Sequence, residues 1–261
     1  MSVRRALTIA GSDSGGGAGI EADLKTFMAL GLHGTAALTA LTAQNTLGVQ
    51  DVFEVSPEFV RRQIESVVTD IGTDAAKTGM LSSAPIVEAV AAAVRDFAVP
   101  NLVCDPVFVS KHGDALLAGD AVEALRSSLI PLARVITPNI PEAEALLGRE
   151  LSADEPDAEA ARELATLGCE WVYLKGGHLK NTATDLLCDG SQVIVLSGER
   201  IDTPHTHGTG CTLSAALAAY LGKGLDVPEA AREAKRFVTR AIDRHLEIGK
   251  GIGPVNPAWG F

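Results

Sequence analysis

The segment His207-Gly208-Thr209-Gly210-Cys211-Thr212 runs straight into an Ala/Leu-rich stretch, Leu213 to Leu221. A turn of small residues at a helix start leaves the first N–H groups without intrahelical partners. They converge on an anion, and the helix dipole favours negative charge there. Cys211 stands in that first turn, and the same field is expected to lower its thiol pKa and favour thiolate. Such an arrangement suits phosphoryl transfer: backbone N–H groups hold the transferring oxygens, and the side chain takes the acceptor hydroxyl's proton. The alternative for Cys211 is a small buried hydrophobe.

Three more clusters follow short apolar runs. Lys175-Gly176-Gly177 offers an ammonium that could reach phosphates, with glycines that admit a nucleotide. Asp105-Pro106 ends another run and is a candidate for a magnesium region. Asn139-Ile140-Pro141-Glu142 could order Mg²⁺-bound water through its amide and carboxylate, or equally cap a helix. Gly11 to Gly19 holds five glycines in nine residues, which fits a loop that closes on a ligand, or only a flexible turn.

Two common nucleotide motifs fail. No G-x-x-x-x-G-K-[ST] occurs. Gly17-Ala18-Gly19-Ile20-Glu21-Ala22 matches G-x-G-x-x-A, but the acidic residue expected ~20 positions on is missing. Leu41, Thr42, Ala43 and Gln44 stand there, and the next carboxylate is Asp51.

The elements that must position these residues alternate along the chain. Strands are expected at Leu7–Ala10, Thr35–Thr42, Ala75–Thr78, Leu102–Asp105, Arg134–Thr137 and Trp171–Leu174. Helices are expected at Ala18–Leu30, with Ile20, Leu24, Phe27 and Met28 on its apolar face, and after a Ser56 cap with Pro57 at its first position. In that second helix Phe59, Val60, Ile64, Val67, Val68 and Ile71 recur at helical spacing. Further helices fit Ile86–Phe97, Asp157–Leu167, Gly210–Leu221 and Pro228–Leu246. Asp189-Gly190 signals a hairpin between Leu186–Cys188 and Val193–Leu196. Strand–helix alternation implies an α/β fold, a mostly parallel sheet covered on both faces, with ligands at the carboxyl ends of the strands.

The chain has 261 residues and a net charge of −11, which argues against a nucleic-acid or anionic-membrane surface. No repeat or linker divides residues 1–261, so one domain is expected. No apolar run approaches the ~18 residues of a membrane span. Cys104, Cys169, Cys188 and Cys211 form no CxxC pair, which fits a reducing cytoplasm.

Taken together, these segments resemble the ribokinase-like superfamily, and within it the hydroxymethylpyrimidine/phosphomethylpyrimidine kinases of thiamine biosynthesis. The resemblance runs from Ala6–Gly19 through Thr42-Ala43-Gln44-Asn45-Thr46, Lys77–Leu81, Asp105-Pro106-Val107, Thr137-Pro138-Asn139 and Lys175–His178 to Thr206–Ala216. It implies a three-layer αβα sandwich and two ATP- and Mg²⁺-dependent steps at one site. A hydroxymethylpyrimidine becomes its monophosphate, then its diphosphate. It also implies a homodimer. By resemblance, Cys211 is the base and Gly208, Thr209 and Gly210 form the anion hole. Gln44 reads the aminopyrimidine edge, and Gly11, Ala18, Asp23, Met80 and Val107 line the pocket. Lys175, Gly176, Gly177 and Thr206 lie on the ATP side, and Asp105, Asn139 and Glu142 serve the metal. The chain departs from the pattern at Phe108, where relatives commonly carry Met, and at Lys250 within Gly249-Lys250-Gly251. Some relatives phosphorylate pyridoxal and tend to lack the Gln44 amide. A non-catalytic pyrimidine- or nucleotide-binding regulator is the rival from another class, and the Cys211, Lys175 and Glu142 set weighs against it.

Overall fold

The computed structural model describes residues 3–108, 119–152, 154–179 and 182–260. Among these, nine strands form one sheet: β1 (Arg5–Asp13), β2 (His33–Asn45), β3 (Gly48–Glu54), β4 (Ala75–Thr78), β5 (Leu102–Cys104), β6 (Val135–Ile136), β7 (Trp171–Leu174), β8 (Asp185–Cys188) and β9 (Val193–Leu196). Their order is β3-β2-β1-β4-β5-β6-β7-β8-β9. β2, β1, β4, β5, β6 and β7 are mutually parallel; β3, β8 and β9 are antiparallel additions.

The helices are α1 (Gly19–Ala29), α2 (Pro57–Asp70), α3 (Ala84–Asp96), α4 (Gly119–Ala124), α5 (Ile140–Leu147), α6 (Ala158–Ala165), α7 (Thr209–Gly222) and α8 (Val227–Asp243). The two-residue period of the strands sends side chains to opposite faces. Val172 and Leu174 join the core under α2 to α6, and Tyr173 between them joins the core under α1, α7 and α8. Val135 and Ile136 divide the same way. The result is three layers, αβα.

Local signals set several boundaries. Ser56 Oγ accepts the Phe59 N–H, with Pro57 at the first helical position. Asp226 and Asp157 cap α8 and α6 likewise. The apolar face expected for α1 is corrected: Met28 is 72% exposed, whereas Asp23 and Thr26 are buried beside Phe27. In α2 only Val60 and Ile64 are buried, and Phe59 points to solvent. β3 lies outside the expected strands. Phe108 packs into the core under α2 to α6, away from the cleft.

Candidate active site

A cleft of about 660 Å³ opens at the carboxyl ends of β1, β4, β5 and β7, against the start of α7. Gly208 caps α7 with φ +79°, the left-handed region open to glycine. A Cβ there would stand 1.8 Å from the Gly17 carbonyl oxygen, so only glycine lets the glycine-rich loop lie on the helix start. Thr209 turns inward: its N–H (3.3 Å) and Oγ1 (2.7 Å) both donate to the Thr206 carbonyl. Among the described residues the amides of Gly210 and Cys211 keep no protein acceptor. Of the expected anion-hole residues Gly208, Thr209 and Gly210, only Thr209 has its N–H engaged among the described residues, in the turn to Thr206.

Cys211 is half-buried and lines the cleft. Its expected low pKa is corrected. Burial pushes the thiol up to about 11, and the carboxylates of Asp23 and Asp105 add to the rise. Lys77 and the Gly19 N–H offset only part of it. The field of one helix terminus is weaker than loss of water around a thiolate.

Facing α7 is a charged cluster. Lys175 Nζ lies 2.8 Å from Asp105 Oδ1 and 3.4 Å from Glu142 Oε2. It is aimed there because the Lys175 N–H donates to the Pro138 carbonyl, extending β7 beside β6. Asp105 also accepts from Thr137 Oγ1 (2.9 Å) and Ser214 Oγ (3.1 Å). Burial opposes its charge, but Lys175 and Lys77 hold the carboxyl below the usual range. Asn139 and Glu142 form a reciprocal capping box on α5, each side chain accepting the other's N–H. Burial pushes Glu142 up to about 7, with Asp105 adding and Lys175 offsetting. Two carboxylates thus share one ammonium, and the surplus negative charge fits a hard divalent cation. Asn139 Oδ1 is engaged with the cap, where it accepts the Glu142 N–H.

The opposite end of the cleft carries Gly11, Ala18, Gln44, Met80 and Val107. A register shift at Ala43/Gln44 re-aims the Gln44 side chain as β2 ends. Asp23 does not line this end. It is fully buried behind Lys77, whose Nζ lies 2.9 Å from Asp23 Oδ2, and Thr8 Oγ1 donates to the same oxygen. Gly79 leaves room for that ammonium, since a Cβ there would come within 2.8 Å of it.

The model of the family described as phosphomethylpyrimidine kinase matches residues 13–256. The chain belongs to that family. A hydroxymethylpyrimidine/phosphomethylpyrimidine kinase of Streptomyces coelicolor is 53% identical over 253 residues, covering 97% of this chain and 94% of the relative. Among solved structures, a Bacillus subtilis pyridoxal kinase in complex with ADP superposes with TM-score 0.91 at 42% identity, covering 98% of each chain. A phosphomethylpyrimidine kinase of Clostridium difficile gives TM-score 0.81 at 42% identity, covering 92% of this chain and 99% of that one. The fold is thus ribokinase-like.

In this member of the phosphomethylpyrimidine kinase family the cleft has a further, mixed lining. Gly177 and Thr206 line it, joined by an apolar wall of Ile201, Leu213, Val238 and Ile242. Gly176 does not line it: its N–H donates to Asp185 Oδ1 (2.7 Å), and a Cβ would collide with the Thr184 carbonyl. Asp185 also accepts from Tyr173 Oη and Lys235 Nζ, each at 2.6 Å, so a buried triad holds the Lys175 turn. Sequence reasoning missed that triad and the apolar wall. Val238 and Ile242, four apart on one face of α8, were the available signal for the wall.

A strap closes the site. His207 N–H donates to the Gly253 carbonyl and Val255 N–H to the His207 carbonyl. Ile252 N–H reaches the Thr46 carbonyl, and the N–H groups of Lys250 and Gly251 reach Thr46 Oγ1. The departure at Lys250 therefore sits where the backbone makes the contact. No described helix is long and apolar enough to cross a membrane.

Proposed function

We propose that this kinase uses ATP to phosphorylate 4-amino-5-hydroxymethyl-2-methylpyrimidine, and then its monophosphate to the diphosphate, in thiamine biosynthesis. The observation that carries this reading is that one cleft is lined by Gln44, by Cys211 with the open amides of α7, and by Lys175 with an apolar wall. Gln44 pairs with the aminopyrimidine edge, and Gly11, Ala18, Met80 and Val107 shape the ring pocket. Ile201, Leu213, Val238 and Ile242 take the nucleobase, while Lys175, Gly177 and Thr206 flank the phosphates. Asp105 and Glu142 hold Mg²⁺, with Asn139 fixing Glu142. Bound there, Mg²⁺ would supply charge neutralisation at the phosphate oxygens.

In the first step the hydroxymethyl oxygen forms a bond to the γ-phosphorus, the bond from that phosphorus to the ADP oxygen breaks, and the hydroxyl proton passes to Cys211. Only the minor thiolate form can take it, and Lys77 stabilises that form. The second step differs. Its nucleophile is a phosphate oxygen that is already anionic near neutral pH, so it needs no base. Cys211→Ala is therefore expected to slow the first step by about 10²–10⁴-fold and to spare the second.

The test is an ATP-consumption assay with the hydroxymethylpyrimidine, its monophosphate and pyridoxal side by side, in wild type and Cys211→Ala. Turnover of pyridoxal alone would overturn the reading. Equal slowing of both pyrimidine steps would remove Cys211 as the base. The likeness to a pyridoxal kinase favours pyridoxal as a second substrate.

Residues 1–261 act as one domain, supported by the single continuous sheet. The kinase works as a homodimer in the cytoplasm. Leu41 and Phe53, cross-strand partners, are both exposed beside the edge strand β3, which supports a partner there. Four free cysteines support a reducing compartment.

A further inference from the structure

A second cluster of metal-binding side chains lies beside the cleft. Ligand atoms of His205, His245 and Glu247 all stand within 4.8 Å of one another. His205 lies between Thr203 and Thr206, which line the cleft, and His245 and Glu247 follow the end of α8. Hydrogen bonds fix the protons. His245 Nδ1 is 2.9 Å from the Ile242 carbonyl, which only accepts, so that nitrogen carries the ring's proton. In the neutral ring Nε2 is then a bare lone pair, 3.7 Å from Glu247 Oε1 and 3.4 Å from Thr203 Oγ1. A lone pair and a carboxylate that face each other are relieved by a cation. A ring nitrogen whose opposite N–H is tied to a carbonyl is well set up as a metal ligand.

His205 is held the other way. Its Nδ1 accepts the Gly253 N–H at 2.9 Å, so the proton of its neutral ring is on Nε2. Gly253 belongs to the strap: its carbonyl accepts the His207 N–H, and the Leu246 N–H donates to the next carbonyl, that of Pro254. The two imidazoles stack, with centroids 5.0 Å and planes 25° apart, so their lone pairs do not meet on one point. His205 can join an ion in two ways. Through Nδ1 it gives the ion the lone pair that Gly253 uses. Through Nε2 its one proton must move to Nδ1, which sets N–H against N–H. Either way Gly253 loses its acceptor.

We propose that His205, His245 and Glu247 form a site for a divalent transition metal of the zinc class, and that filling it releases the Gly253 end of the strap and slows the kinase. Two imidazoles and a carboxylate suit zinc, nickel or cobalt better than magnesium. Ligands about 2.0–2.1 Å from a tetrahedral ion lie about 3.4 Å apart, so the cluster closes on it by about an ångström. The Glu247 side chain, 79% exposed, has room for that movement.

The test uses Co²⁺ and Zn²⁺ as probes on the whole chain. Co²⁺ absorption, read without substrate, reports binding. ATP consumption at a fixed excess of Mg²⁺ reports the effect of Zn²⁺. Wild type is expected to bind Co²⁺ without the thiolate charge-transfer band that Cys211 would give, and to lose activity as Zn²⁺ is added. His245→Phe keeps a stacked ring and Glu247→Gln keeps the side chain's shape. Each should weaken Co²⁺ binding about tenfold or more and move the Zn²⁺ inhibition curve by the same factor. His205→Asn is the sharper variant. Its Oδ1 can replace Nδ1 as the acceptor for Gly253 but is a poor zinc ligand, so activity should stay near wild type while inhibition disappears. His205→Ala has no acceptor and should be slow with or without Zn²⁺. Equal Zn²⁺ inhibition of wild type, His245→Phe and Glu247→Gln would put the ion elsewhere and overturn the site. Co²⁺ binding that these variants lose, together with a wild-type activity that Zn²⁺ leaves untouched, would overturn the release of the strap. A His205→Ala variant as fast as wild type would overturn it as well.

Discussion

Two lysine–aspartate pairs stand on the same sheet and behave differently. Lys77 and Asp23 are both fully buried, and Thr8 completes the carboxylate's hydrogen bonds. Burial works against the ammonium, but Asp23, Cys211 and Asp105 together more than offset it, so Lys77 holds its proton more tightly than a free lysine. Lys175 and Asp105 are nearly as buried, with side-chain exposures of 12% and 1%. Both lysines border the cleft, but the Lys175 ammonium answers a second carboxylate, Glu142, at 3.4 Å. Burial alone does not separate the two pairs. The separating feature is charge balance: the closed pair is neutral, and the open cluster carries a surplus that an incoming cation can neutralise.

The largest expected break is in the closed pair. Lys77→Met should leave Asp23 buried without its counter-charge and cost about 3–5 kcal/mol of stability, read from urea unfolding. Lys77→Met with Asp23→Leu should recover most of that, because the stranded charge is gone. A double variant as unstable as the single would show that Lys77 acts through some other partner.

Lys175→Met should move activity more than stability. Loss of a charge aimed at transferring phosphate is expected to cost about 10²–10³-fold in kcat. Stability should fall less than in Lys77→Met, since Asp105 keeps Thr137 and Ser214 and Glu142 can take up a proton. If the two lysine variants unfold at the same urea concentration, the comparison between the pairs collapses.

Glu142→Gln should have the smallest effect and the most specific one. Its Mg²⁺ requirement should rise several-fold, and added Mg²⁺ should restore part of the rate. The variant also tests the charge surplus through pH. Glu142 is raised from an ordinary 4.5 to about 7, so folding takes up a proton between those values. Wild-type stability should therefore fall as pH rises across that window. The glutamine variant should lose this slope in urea unfolding measured from pH 4 to 8.

Much of the scaffold was legible. Ala75–Thr78 and Trp171–Leu174 appear as β4 and β7 with the expected limits, because short apolar runs between breakers have few other uses. Lys77 was the overlooked signal in the first of these: a lysine inside a buried strand requires a partner. Its partner Asp23 sits on α1, too far along the chain for spacing to connect them. β3 was missed because its residues are mostly exposed, so no alternation marks it. The Cys211 motif was visible, but the direction of its pKa was not. A helix start is written in local sequence, whereas Asp23, Asp105 and Lys77 reach the thiol only through the fold.

The strap over the site also bears on how the protein is made. Asp13 leaves the ribosome 194 residues ahead of its partner His207, and Gly253 and Val255, which hold His207 in turn, follow later still. Until then the growing chain can pair its parallel strands but cannot seat Asp13. Contacts between such distant segments form slowly. A chain stalled before His207 therefore lacks the contact that seats Asp13 and its loop.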